Sequence, residues 1–126
     1  LYNIAAARGF LVCGTSNKTE YMIGYSTKWG DAAADIQPLL HLWKKDVYTM
    51  ADELDIPRSI IEKAPSAGFW EGQSDEDELG FSYQELDAAL MSLEDHGFVP
   101  QNALEEQVLA LVTKSSHKRT SAVSLL

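Results

Sequence analysis

Apolar positions recur at helical spacing in several parts of the chain and run together without interruption in one. Leu1 to Ala7 is alanine-rich and helical in character, with Gly9 where a C-cap glycine belongs. Val47, Met50, Ala51 and Leu54 share one helical face in a stretch that stops before Pro57, which predicts an amphipathic helix over 43–54 and a short one over 58–63. Ser82 with Glu85, and Asn102 with Glu105, have the spacing of a capping box. Behind the first, Tyr83, Leu86, Leu90 and Leu93 line one face until Gly97; behind the second, Leu104, Val108, Leu111 and Val112 do the same. Thr15, Ser16 and Asn17 offer side-chain oxygens to cap a helix over about 18–23. Residues 24–37 read as ordered loop, and 64–81 as a loop with brief turns.

The exception is FLVCG, 10–14, a continuous apolar run of the kind that forms a strand buried on both faces of a parallel sheet. One strand cannot make a sheet, because its N–H and C=O groups need a neighbouring strand. Either this run is helical, or the chain is the trailing part of an α/β protein whose other strands lie upstream. A first residue that is Leu and not Met favours the second expectation.

Composition narrows the class. With 126 residues, 45% of them apolar, the chain has the size and core material of one domain. No apolar run approaches a membrane span and no leader pattern is present, so a soluble protein is expected. A single cysteine, Cys13, rules out an intrachain disulfide framework, and three histidines with it make no structural zinc pattern; a reducing cytoplasm is the simplest compartment. A net charge of −9 disfavours a nucleic-acid partner while leaving room for a small anion held by a few lysines.

Candidate chemistry concentrates in GTSNKTEYMIGYSTKWGDAAADIQPL, 14–39, where Glu20, Lys18, Lys28, Asp31 and Asp35 share a stretch with three glycines just after the predicted strand. Loops at the carboxyl ends of parallel strands are where α/β folds place ligands. Three blocks then carry a resemblance: GTSNKTEYMIGYSTKWGDAAADIQPLLHLWKKDV, IIEKAPSAGFWEGQSDEDELGFSYQELD and SSHKRT, in that order and spacing, resemble the ammonia-dependent NAD synthetases through nearly the whole chain.

The resemblance implies an α/β fold: the C-terminal part of a Rossmann-like adenine-nucleotide-hydrolase fold, mostly helical here with one or few parallel strands, and residues 1–126 as the C-terminal portion of a single domain. It also implies a homodimer and a two-step amidation. ATP adenylates the pyridine carboxylate of nicotinic acid adenine dinucleotide (deamido-NAD) and releases pyrophosphate; ammonia then displaces AMP to give NAD. By the same resemblance Thr15, Lys44 and Ser66 contact ATP, Ser66 standing in for a threonine, and Glu20 binds Mg²⁺. Lys28, Asp35, His117 and Lys118 hold deamido-NAD, and Asp31 in KWGD lies near ammonia. A carboxylate beside the ammonium ion can bind the cation and help remove its proton.

Two departures stand out. Ala32 and Ala33 occupy positions where the family commonly has two glycines, so their Cβ atoms could narrow the approach of a ligand to the backbone. The Gly-rich pyrophosphate loop with its magnesium-binding aspartate, and a substrate-contacting arginine, are missing, from which the chain alone is expected to be inactive. No glutaminase-type nucleophile is visible, which favours ammonia as nitrogen source.

Each feature also has a plainer reading. The five carboxylates at 71–78 read as a solvated loop, Cys13 as a small buried hydrophobe, and His41 and His96 as surface or helix-end residues. Trp29, Trp43 and Trp70 read as core or interface anchors, and the segment around His117 as a frayed basic tail. Two further functions stay open at this stage: another adenylating amidotransferase of the same superfamily, such as a GMP synthetase relative, and a non-catalytic dimerisation or assembly module.

Overall fold

The computed structural model describes residues 1–122; positions 123–126 of the expected 1–126 domain lie outside the described residues. Among the described residues the α-helices are α1 (Tyr2–Arg8), α2 (Lys18–Ile23), α3 (Lys44–Glu53), α4 (Arg58–Ile61), α5 (Asp75–Leu79), α6 (Tyr83–Asp95) and α7 (Ala103–Lys114), followed by a 3-10 turn over Ser116–Arg119. None is long and apolar enough to cross a membrane.

The core is built on the stripe of α6. Leu86, Leu90 and Leu93 are fully buried, as is Val108 of α7, and Ile23 of α2, Tyr83 and Ala89 complete the cluster. Leu104, Leu109, Leu111 and Val112 of α7 pack around it, as do Trp43 and Phe81. Burying a side chain of this size is worth about 1.5–3 kcal/mol, so this one cluster outweighs any surface pair in holding α2, α6 and α7 together.

Helix starts follow the capping chemistry. Ser82 Oγ accepts from Glu85 N–H, and the Glu85 carboxylate accepts from Ser82 N–H at 2.8 Å. At α7 the pattern is extended by one residue. Asn102 Oδ1 accepts from Glu105 N–H, but the Glu105 carboxylate reaches Gln101 N–H at 2.7 Å and the Asn102 side-chain amide at 2.8 Å, leaving out the backbone N–H of the cap itself. Bonds from the Ser82 hydroxyl and backbone hold Glu85 below the ordinary carboxylate range, and the Gln101 N–H does the same for Glu105. A pKa lowered by folding stabilises the fold above the unfolded carboxylate value, and that contribution is lost as pH falls through the lowered value. Glu105→Gln is therefore expected to lower the melting temperature at pH 7 and to lose its disadvantage in acid. Thermal melts across that range check it; a gap that stays constant into acid contradicts it.

The run 10–14 departs from expectation. It is extended and not helical, yet it forms no strand among the described residues: its only sheet-like contact is an isolated parallel bridge between Cys13 and Ile36. Gly14 N–H donates to Ile36 O at 2.8 Å, and Asp35 and Ile36 N–H donate to Val12 O. Phe10 and Leu11 are 64% and 68% exposed and Cys13 is exposed, so the expected strand buried on both faces, and the buried cysteine, are corrected. Among the described residues one bridge supplies one edge and one covered face, occupied by Val12, and nothing there covers the alternate side chains. Gly14 is needed at this bridge, since an added Cβ would lie 2.8 Å from Ala34 Cβ and 3.1 Å from Gln37 Cγ.

The amphipathic helix expected over 43–54 is present as α3; none of its residues is buried, and Val47, Tyr48 and Ala51 line a cleft while Met50 and Leu54 are exposed. The acidic run contains a helix, α5, capped by the Ser74 side chain, and its first residue Asp75 is only 6% exposed.

Candidate functional site

Two short helix starts define the first cleft. Asn17 caps α2 by accepting from Glu20 N–H at 3.0 Å, and the Glu20 carboxylate returns the bond by accepting from Asn17 N–H at 3.2 Å. This reciprocal pair fixes the Glu20 rotamer. The second carboxylate oxygen lies 2.9 Å from Lys44 Nζ, in an ion pair whose side chains are 19% and 17% exposed. Lys44 opens α3, and its ammonium also sits 4.5 Å from the centroid of the Tyr83 ring, over a negative π face. The pair looks onto a cleft of about 370 Å³ whose rim includes Tyr48, Ser66 and Asp75 and whose apolar wall is Val47 and Ile60. Ser66 Oγ is the acceptor for Gly68 N–H, which shapes the loop it stands on.

A second cavity, of about 600 Å³, lies across one wall from the first. The 24–27 turn, Gly30, Asp31, Phe69, Trp70 and Lys118 line it. Asp31 accepts from Thr27 N–H at 2.5 Å, which closes the turn that carries it. The wall is a chain of tyrosines and carboxylates. The Tyr25 hydroxyl lies 2.8 Å from Glu78 Oε2 and 3.1 Å from Asp75 Oδ1, and the Tyr83 hydroxyl lies 3.1 Å from Asp75 Oδ2. Burial raises both phenols above their ordinary pKa, and the neighbouring carboxylates add to it, so both stay protonated and donate. Asp75 faces the first cleft while Tyr25 and Glu78 face the second.

A third, smaller groove of about 250 Å³ carries Lys28, Trp29, Ala32, Ala33 and Lys118 on its lining. Lys28 Nζ donates to His117 O at 2.5 Å and lies 5.1 Å from the Trp29 ring. Lys118 Nζ donates to Gly24 O and Ser26 O at 2.7 Å each, and the Arg119 guanidinium donates to Tyr21 O and Met22 O. Two cations thus satisfy carbonyls at the C-terminus of α2, where the helix dipole favours positive charge. The frayed-tail reading of this segment is corrected: it is a 3-10 turn pinned to α2. The close fit depends on Gly24, which has φ 70° and whose added Cβ would lie 2.2 Å from Ser115 Cβ.

The structure brings Glu20, Lys44 and Ser66 to one cleft, Asp31 and Lys118 to the next, and Lys28 and Lys118 to the smallest groove, with His117 O bonded to Lys28 beside it. Thr15 is exposed and lines none of these three. Asp35 serves as a strut: its carboxylate accepts from Val12 N–H at 2.7 Å and from the Tyr2 hydroxyl at 3.4 Å. Trp29 and Trp70 are 71% and 59% exposed, whereas Trp43 packs on the core. The sequence reading passed over the buried carboxylates Asp75 and Asp87. For Asp75 the available signal was Ser74 three residues before Asp77, an N-cap pattern inside the acid run; Asp87 carried none.

The family model of NAD synthase matches residues 1–122. The NH(3)-dependent NAD(+) synthetase of Methanoregula boonei is 57% identical over 116 residues, 92% of this chain and 47% of that protein. That of Thermoplasma acidophilum is 44% identical over 125 residues, 99% and 52% of the two chains. Among solved structures, the NMN synthetase from Francisella tularensis matches with a TM-score of 0.86 and 42% identity over 98% of this chain and 50% of that one. The NH3-dependent NAD synthetase from Campylobacter jejuni in complex with nitrate matches with a TM-score of 0.78 and 28% identity, over 100% and 50%. The chain therefore spans about half the length of the curated relatives it matches.

Proposed function

Because the chain belongs to the NAD synthase family, we propose that it contributes part of the active site of a ligase that amidates a deamidated pyridine nucleotide with ATP and ammonia. The observation that carries the proposal is the Glu20–Lys44 pair at 2.9 Å on a cleft that shares the Asp75 wall with the cavity holding Asp31. A carboxylate has no leaving group, so the chemistry needs two steps. The pyridine carboxylate oxygen attacks the α-phosphorus of ATP and pyrophosphate leaves. Ammonia then attacks the acyl carbon, the bond to AMP breaks, and the nitrogen gives up its proton.

In this reading Lys44 and Ser66 hold ATP phosphates, with Thr15 contributing from outside the cleft. Asp31 binds the ammonium ion and accepts its proton. Lys28, Lys118 and His117 hold the pyridine nucleotide, Asp35 acting on it through the segment it braces. Among the described residues no group of three or more His, Cys, Asp or Glu side chains is placed to hold a metal. Glu20 nonetheless suits Mg²⁺, which is commonly held by one carboxylate with substrate phosphates and water filling the other positions. Such an ion would offset phosphate charge. We also propose that the pyrophosphate-gripping loop lies in the part of the family's length that this chain does not span, the chain being the C-terminal portion of a Rossmann-like domain that works as a cytoplasmic homodimer.

A second reading of the substrate has its own support: similarity to an NMN synthetase at 42% identity makes the mononucleotide a competitor to deamido-NAD. One assay tests both. A polypeptide of full family length is given ATP, Mg²⁺, ammonium and either deamido-NAD or nicotinic acid mononucleotide. Amide with equimolar AMP and pyrophosphate is expected, with deamido-NAD the faster substrate. Faster turnover of the mononucleotide moves the substrate assignment; amide from neither ends the proposal.

A further inference from the structure

We infer that Asp87, together with Thr19, is a positioning residue for the Glu20–Lys44 pair, a role that rests on the amidation reading above. The N-terminus of α3 poses the problem these two residues answer. The first N–H groups of a helix need acceptors from outside it, and the residue at the cap position, Trp43, has no side-chain acceptor. Two other helices supply them. Thr19 Oγ1 accepts from Lys44 N–H at 3.0 Å, and Asp87 Oδ2 accepts from Lys45 N–H at 2.8 Å. The Thr19 hydroxyl donates in turn to Asp87 Oδ1, so one carboxylate of α6 ties α2 to α3. Thr19 is 0% exposed and Asp87 3%, and no buried side-chain polar atom among the described residues lacks a partner.

The linkage does more than close a helix end. A serine at position 43 would cap α3 from a single side chain, without desolvating a carboxylate. What the Asp87 arrangement adds is register. Thr19 is the residue immediately before Glu20, and the N–H it receives belongs to Lys44 itself. The backbones that carry the two halves of the ion pair are thereby tied beside their Cα atoms. An ammonium 2.9 Å from its carboxylate tolerates little slippage of α3 along α2, since a displacement of about 1 Å breaks the contact. Misplacement on that scale can cost about 100-fold in an enzyme.

The test uses a polypeptide of full family length carrying Asp87→Asn, Thr19→Val or Thr19→Ser, with KM for ATP, KM for the deamidated nucleotide and melting temperature measured for each. Asparagine keeps the shape but cannot accept from both Thr19 and Lys45 with equal strength; valine keeps the volume and removes the hydroxyl. Asp87→Asn and Thr19→Val are expected to raise KM for ATP by about 10-fold or more while leaving KM for the nucleotide within about 2-fold, and Thr19→Ser is expected to restore the parent value. A second comparison, with Lys44→Met, covers loss of folding in any one variant: if Asp87 acts through Lys44, Lys44→Met with Asp87→Asn binds ATP no worse than Lys44→Met alone. Parallel changes in both KM values, a lowered melting temperature with KM for ATP unchanged, or additive losses in the double variant overturn the inference. A parent polypeptide that forms amide while its variants behave in those ways overturns this inference alone; a parent that forms none overturns the amidation reading.

Discussion

Glu20→Gln, introduced into a polypeptide of full family length, is expected to cut adenylate formation by about 100-fold and to raise the Mg²⁺ concentration for half-maximal activity by about 10-fold. The substitution isolates charge from shape. Glutamine keeps a side-chain oxygen that can accept from Asn17 N–H, so the start of α2 keeps its cap. What disappears is the negative charge facing Lys44 Nζ at 2.9 Å. The lysine loses its fixed partner, and a Mg²⁺ ion held at Glu20 would lose a hard anionic ligand. Pyrophosphate release measured against Mg²⁺ concentration checks both halves. An unchanged Mg²⁺ dependence removes Glu20 from metal binding even if the rate falls.

Asp31→Asn is expected to separate the two chemical steps. Ammonia at neutral pH is mostly ammonium, which has no lone pair, so a carboxylate that binds the cation and takes a proton contributes only to the second step. Asparagine can still accept from Thr27 N–H, now at 2.5 Å from Asp31 Oδ1, so the turn that presents position 31 is retained. Pyrophosphate release should persist near the parent rate while amide formation falls about 100-fold, the lower end of what general acid–base groups supply. Single-turnover measurement of both products distinguishes this from general damage. Equal loss in both steps contradicts the role.

What the sequence could and could not convey divides along the range of the interactions. Helix α6 was legible because Ser82, Glu85 and the stripe Tyr83, Leu86, Leu90 and Leu93 lie within a few turns of one another and act through local bonds and one shared core face. Asn17 and Glu20 announced the start of α2 in the same way. The buried carboxylates were not legible, because Asp87 is defined by Thr19 and Lys45, 68 and 42 residues away, and Asp75 by Tyr25, 50 away. An acidic residue in a charged run looks solvated until the tyrosines that bury it are in place. FLVCG is a different case. Its apolar content reports a preference for burial, but burial needs neighbours on both faces, and among the described residues Ile36 provides a single parallel bridge. The amphipathic stripe of α3 was legible as well, with Val47 and Ala51 lining a cleft and Met50 and Leu54 exposed. Of the candidate site, Glu20, Lys44 and Ser66 converge on one cleft although Ser66 comes from a different block than the other two, while Thr15 and Asp35 stand apart from it.

The proposed chemistry has a carboxylate oxygen of the substrate attacking ATP before nitrogen arrives. Deamido-NAD labelled with ¹⁸O in its pyridine carboxylate, turned over by a polypeptide of full family length with ATP and ammonium, tests this directly by mass spectrometry of the AMP formed. One labelled oxygen in the phosphate of each AMP is the predicted result, since the oxygen that attacks phosphorus leaves with it. AMP without label, or label found in pyrophosphate, would rule out attack of the carboxylate on ATP.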